Sequence, residues 1–223
     1  MTREAQFQRK KELIRKRLLK YTRKAFHTLP KLDRPRILDL GCGSGVPTME
    51  LARLSNGEIT ALDIDQTALD ILNGKIERAG LTDRIKTMNR SILDMDFPEE
   101  SFDIVWAEGS IHDIGFERGI RECKRFLKPN GYLMVHDEEG NVSQKIEQIS
   151  RGGYQLIDHF VLDKDTWWKE YFAPLERLIG ETRTKYGHDQ MIIKELQSSQ
   201  RDIDTFYSNP ELCTSVCFIM RKK

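Results

Sequence analysis

Short apolar runs alternate with helical patterns along most of the chain. RILDL (36–40) is an almost unbroken apolar run of strand length, and it leads into three alternating glycines, Gly41, Gly43 and Gly45. PTMELARLS then carries apolar residues at helical spacing and stops at Asn56-Gly57. EITALDI (58–64) predicts a second strand. Asp65 suits the N-cap of a helix running to Ala79, with Gly80 as its stop. Third and fourth strands are predicted near residues 85–89 and 104–107. FERGIRECKRFLK places Ile120, Cys123, Phe126 and Leu127 on one helical face. Pro129-Asn130-Gly131 is expected to end that helix, before YLMVHD forms a fifth strand.

Strand and helix in alternation imply an α/β fold: a doubly wound, mostly parallel sheet with helices on both faces and ligands at the carboxyl ends of the strands. The later part differs. GYQLIDHFVL (153–162) reads as a sixth strand, 163–208 as two or three helices, and CTSVCFIM (213–220) as a final strand. The expected organisation is one domain over 1–223. It comprises a basic helical segment (1–30), a cofactor-binding core (31–162), a helical insertion or lid (163–208) and a last strand (209–223).

Charge changes this picture at one end. Residues 1–36 hold thirteen Lys/Arg against three Asp/Glu, while the rest of the chain carries a net charge of −9. A basic arm fits nucleic acid or another anionic partner. The plainer reading, and the favoured one, is a helix whose charges are solvated or lie on acidic residues of the same protein. No apolar run approaches the ~20 residues of a membrane span, and the first residues lack the apolar core of a secretory signal. The four cysteines have no CxxC or zinc spacing, so no metal site is expected and a reducing cytoplasmic setting is favoured.

The glycine run fits some nucleotides better than others. A dinucleotide loop needs a third glycine where Val46 stands, and no Gly-Lys-Ser/Thr follows for a triphosphate loop. Asp39, in the strand before the loop, would repel a pyrophosphate but suits a cationic group such as an ammonium or a sulfonium. Asp63 closes the second strand, where a carboxylate can accept ribose hydroxyls. A cationic amino acid joined to adenosine is S-adenosylmethionine.

The succession LDLGCGSG, LDID, SFDIVWAEG and FLKPNGYLMVHD resembles the class I S-adenosylmethionine-dependent methyltransferases over roughly residues 20–162. The resemblance implies a seven-stranded sheet whose last strand is antiparallel, inserted between the fifth and sixth. It also implies that Gly41, Gly43 and Gly45 form the cofactor loop and that Asp39 fixes the loop or meets the ammonium. Asp63 would hold the ribose and Ile64 would stack on adenine. Ser91 and Ile92 fall at the adenine-contacting positions, although many relatives have an acid where Ser91 stands. Ala107 and Glu108 would line the methyl-transfer site.

Glu108 and His112 are the candidate catalytic residues, His112 as a base if Asp113 orients it. WAEGSIHDIGFERGI and WWKEYFAPLERL resemble a subgroup acting on small molecules, so the expected partner is a small-molecule methyl acceptor. Two alternatives remain: an RNA methyltransferase using the basic arm, and a binding protein that keeps the cofactor but has lost chemistry. The arm has few interleaved aromatics, and no Asn-Pro-Pro-Tyr-like or Pro-Cys motif follows the fourth or fifth strand, so nucleic acid is not favoured. Oligomeric state has no signature in the sequence.

Overall fold

Seven strands form one sheet: β1 (Arg36–Leu40), β2 (Glu58–Asp63), β3 (Ile85–Asn89), β4 (Phe102–Glu108), β5 (Leu127–Glu138), β6 (Tyr154–Leu162) and β7 (Ser215–Lys222). Their spatial order is β3-β2-β1-β4-β5-β7-β6. The computed structural model describes residues 2–223, the side chain of Asp113 excepted. Parallel pairing joins β1 to β2 and β4, β2 to β3, and β4 to β5, whereas β7 runs antiparallel to β5. The sheet is therefore mixed. Its order reverses between β1 and β4, the place where open α/β sheets leave a crevice for ligands.

The helices are α1 (Arg3–Arg15), α2 (Leu19–His27), α3 (Val46–Leu54), α4 (Gln66–Arg78), α5 (Phe116–Phe126), α6 (Val142–Arg151), α7 (Lys164–Trp167), α8 (Ala173–Tyr186) and α9 (Gln190–Ser208). One turn of 3-10 helix, Ile92–Asp94, replaces a longer helix between β3 and β4.

The chain divides into two units. Tyr21–Val161 and Ser215–Lys223 make up the sheet unit. Ile37, Leu38 and Leu40 of β1 are wholly buried, as expected of a parallel strand covered on both faces. On one face Leu38, Val105, Ala107 and Val135 pack with Ile120 and Phe126 of α5. The Tyr154 hydroxyl adds a hydrogen bond to the Ile120 carbonyl at 2.8 Å. On the opposite face Phe26 of α2 meets Trp106, with ring centroids 6.2 Å apart.

The second unit takes the chain up to Lys20 together with Leu162–Thr214. Its core includes Phe7, Phe172, Leu175, Ile192, Leu196 and Phe206. Trp167 and Tyr171 meet edge to face and Trp168 stacks on Phe206, so these aromatics belong to that core. A π-helical turn over Trp168–Phe172 links α7 to α8. The basic arm finds acids within its own unit: Arg3 pairs with Asp189 at 2.7 Å, and Lys20 with the buried Glu170 at 2.8 Å.

One local expectation is corrected. Pro129-Asn130-Gly131 does not separate α5 from β5 but lies inside the strand. Asn130 takes a left-handed φ of 63°, and the register to β4 jumps from Leu127 to Tyr132, so the turn chemistry is expressed as a bulge. Helix α6 lies between β5 and β6, over a stretch to which the pattern assigns no element. Asn141 caps it by accepting the Gln144 N–H, and Ile149 anchors it.

Candidate functional site

The site grows from the end of β1. Gly41 and Gly43 adopt φ of 64° and 52°, the left-handed region that side chains other than glycine's avoid. A Cβ on Gly41 would lie 2.4 Å from Ser110 Cβ, whereas one on Gly43 would meet nothing within 4 Å. Gly41 thus admits a neighbouring loop, and Gly43 faces open space. Gly45 starts α3 at φ 79°, and a Cβ there would strike Leu72 at 2.2 Å. Its role is helix packing. Lys75 of α4 clasps the loop from below through the Ser44 carbonyl at 2.7 Å.

Asp63 holds the loop as well as closing β2. One carboxylate oxygen accepts the Gly43 N–H at 2.7 Å and the other accepts the Asp65 N–H at 2.9 Å. Asn89 of β3 secures the same corner by donating to the carbonyls of Asp63 and Ile64. Asp39 is only 2% exposed, and its carboxylate accepts the Thr48 hydroxyl of α3 at 2.6 Å. It therefore fixes the strand to the helix across the loop.

Register brings a second set of groups into line. Leu40 pairs with both Leu62 and Ala107, so the next row across the sheet contains Asp63, Gly41 and Glu108. Glu108 pairs with His136, and His136 with Cys217. One row at the carboxyl ends of the parallel strands thus runs Asp63, Gly41, Glu108, His136, Cys217, on the face that also bears Asp39 and Trp106. Glu108 accepts the Trp106 indole N–H at 2.8 Å. His136 Nε2 lies 2.7 Å from the Ser215 hydroxyl.

Burial sets the electrostatics. It pushes the Asp39 carboxyl up to about 7; the Thr48 hydrogen bond opposes this, and the charges of Glu108 and Asp63 add to it. His136 is lowered to about 4 by burial, against the pull of Asp137, so its imidazole is neutral near pH 7. The Cys217 thiol is raised by burial and by Glu108, with Lys24 opposing. Among the described residues, no three His, Cys, Asp or Glu side chains are grouped to hold a metal.

The remaining predicted residues divide. Ile64 is 74% exposed beside the Asp63 corner, open to a flat ligand. The Ser91 hydroxyl caps the short 3-10 helix by accepting the Leu93 N–H, and Ile92 packs against the core. Ala107 directs its methyl into the core and offers the site only its backbone. His112 is exposed on a separate 3-10 turn outside the row, and the Asp113 side chain lies outside the described residues. Sequence reasoning missed Thr48 and Ser110. The threonine had a signal, since a hydroxyl three residues beyond Gly45 is well placed to reach back across the loop.

Strand order, glycine loop and paired acids define the class I methyltransferase fold, and the comparisons agree. Residues 38–135, under half of the chain, match the family described as a methyltransferase domain. A sterol 24-C-methyltransferase, ERG6B of Gibberella zeae, is 33% identical over 103 residues, which are 46% of this chain and 27% of that protein. The chain thus spans well under two thirds of the length of the curated relatives it matches. Among solved structures, the [4+2]-cyclase SpnF superposes with a TM-score of 0.73 at 20% identity, covering 91% of this chain and 80% of that one. An S-adenosylmethionine-dependent methyltransferase from Geobacter sulfurreducens, in complex with S-adenosyl-L-homocysteine, gives a TM-score of 0.70 at 16% identity, covering 93% and 90%.

Proposed function

We propose that the protein transfers a methyl group from S-adenosylmethionine to a small-molecule acceptor. The observation that carries this reading is the convergence of Asp39, Asp63 and Glu108 on a glycine loop open at Gly43. Three acids there suit a ligand bearing a sulfonium and an ammonium, and repel a pyrophosphate. Fold alone would not suffice, since one neighbour of this fold is named as a cyclase.

The cofactor, when bound, supplies an activated methyl group. What the chain contributes is binding, alignment and exclusion of water. Asp63 would accept the ribose hydroxyls on the lone pairs left beside its two backbone hydrogen bonds, and Ile64 would cover the adenine. The backbone of Gly41 and Gly43 would run beneath the amino-acid portion. Glu108 and His136 are the residues of the row next to the loop on the acceptor side. A neutral His136 can take a proton from a hydroxyl or amine acceptor, and we rank it above the exposed His112 for that role.

An RNA acceptor is less well supported, because cations of the basic arm are engaged by Asp189 and Glu170. We also propose a lid role for the helical unit, which hydrogen exchange with and without S-adenosylhomocysteine tests. A cytoplasmic location is proposed from the four free cysteines. Among the described residues no helix is long and apolar enough to cross a membrane.

The test is incubation with methyl-labelled S-adenosylmethionine and a cell extract, followed by separation of small metabolites from RNA. Label in the small-molecule fraction supports the reading. Label confined to RNA transfers it to the basic arm. No label, with the cofactor bound, leaves a binding protein.

A further inference from the structure

Ser110 lies two residues beyond Glu108, in the loop leaving β4. Its hydroxyl is shut off from solvent and has no hydrogen-bond partner, one of two such buried side-chain groups among the described residues. Buried hydroxyls are nearly always paired, and one left unpaired costs free energy that some other gain must offset. Position makes this one informative. A Cβ added to Gly41 would fall 2.4 Å from Ser110 Cβ and 3.3 Å from its Oγ, so the serine rests directly on the first loop glycine. The residue as a whole is half-buried, and one χ1 rotation carries the hydroxyl to either of its other staggered positions.

A hydroxyl both donates and accepts. Its surroundings decide between the two, because the charges of Asp63 and Glu108, felt at Asp39, make this corner negative and would repel a ligand carboxylate. We propose that the Ser110 hydroxyl accepts a hydrogen bond from the ammonium of the cofactor's amino-acid portion, making Ser110 a cofactor-binding residue. This inference rests on the proposed use of S-adenosylmethionine. It adds one specific contact, on a residue that none of the sequence motifs assigned.

The experiment compares wild type, Ser110→Ala and Ser110→Cys in calorimetric titrations with two ligands. S-adenosylhomocysteine carries the amino-acid portion; 5′-methylthioadenosine lacks it. Unfolding of the unliganded proteins is followed in parallel. The expected result is that both variants bind S-adenosylhomocysteine about tenfold more weakly, the scale of a hydrogen bond to a charged group. Binding of 5′-methylthioadenosine stays unchanged, and Ser110→Ala unfolds at the same temperature as wild type or higher, since it loses no folded-state partner. Unchanged affinity for S-adenosylhomocysteine in both variants would overturn the inference and leave the proposed cofactor standing. Equal loss for both ligands would also overturn it, pointing to a general distortion of the loop. Wild type that binds neither ligand would remove the proposed cofactor and this contact with it.

Discussion

The Asp63 carboxylate accepts the Gly43 N–H at 2.7 Å, so the acid that closes the second strand also shapes the loop after the first. Removing it costs loop geometry as well as any ribose contact. Asp63→Ala is expected to weaken S-adenosylhomocysteine binding by about 1.5–3 kcal/mol, the range for hydrogen bonds to a charged group. Asp63→Asn, which keeps one acceptor oxygen, should fall between it and wild type. Unchanged affinity in a folded Asp63→Ala protein would place the ribose elsewhere.

The loop glycines should separate by mechanism. Gly43→Ala meets no neighbour but must hold a left-handed backbone, a cost of about 1–2 kcal/mol. Gly45→Ala bears the same strain and also drives a methyl to 2.2 Å from the Leu72 side chain. Urea denaturation should therefore rank Gly45→Ala as clearly less stable than Gly43→Ala. The reverse order would contradict the packing described for α3 and α4.

Asp39 predicts a specific pH dependence. Its folded carboxyl keeps a proton up to about 7, whereas the unfolded chain releases it near an ordinary carboxylate value. The folded state therefore binds more protons in that window, and Asp39's contribution to stability falls as pH rises through it. Asp39→Asn, which can still accept the Thr48 hydroxyl, should flatten this slope and be the more stable protein at pH 8. A cationic cofactor beside Asp39 should drive the proton off. Titrations with S-adenosylmethionine at pH 7, in buffers of different ionisation heat, should show proton release in wild type and less in Asp39→Asn.

His136 acts at the other end of the scale. Burial holds its imidazole at about 4, below the value in an unfolded chain, so the folded state binds fewer protons between the two. Stability from this residue is fully present above the unfolded value and is lost as pH falls toward 4. His136→Gln should make the acid limb of a stability-versus-pH curve shallower. An identical acid limb would mean that other groups dominate there.

Much of this arrangement is legible in the sequence because its signals are local. RILDL followed by glycines, the Asp65 cap and the Gly80 stop each act within a few residues, and each stands where the pattern put it. Pro129-Asn130-Gly131 was misread because β5 pairs with β4 on both sides of it, at Leu127 and again at Tyr132, and so absorbs the turn as a bulge, a tertiary effect. Glu108 was legible at the end of the fourth strand, but the continuation of its row from His136 to Cys217 was not. It depends on the register of a strand that returns antiparallel after the helical unit, and no spacing in the chain encodes that pairing. Ser110 gave no signal for a related reason: its partnerless hydroxyl becomes visible only when Gly41 is seen against it.

The most direct test of the central claim is calorimetric titration of the unmodified, folded protein with S-adenosylhomocysteine and, separately, with NAD. Micromolar binding of S-adenosylhomocysteine and none of NAD is expected, because the acids around the loop favour an ammonium and repel a pyrophosphate. Binding of NAD, or of neither ligand, would contradict it.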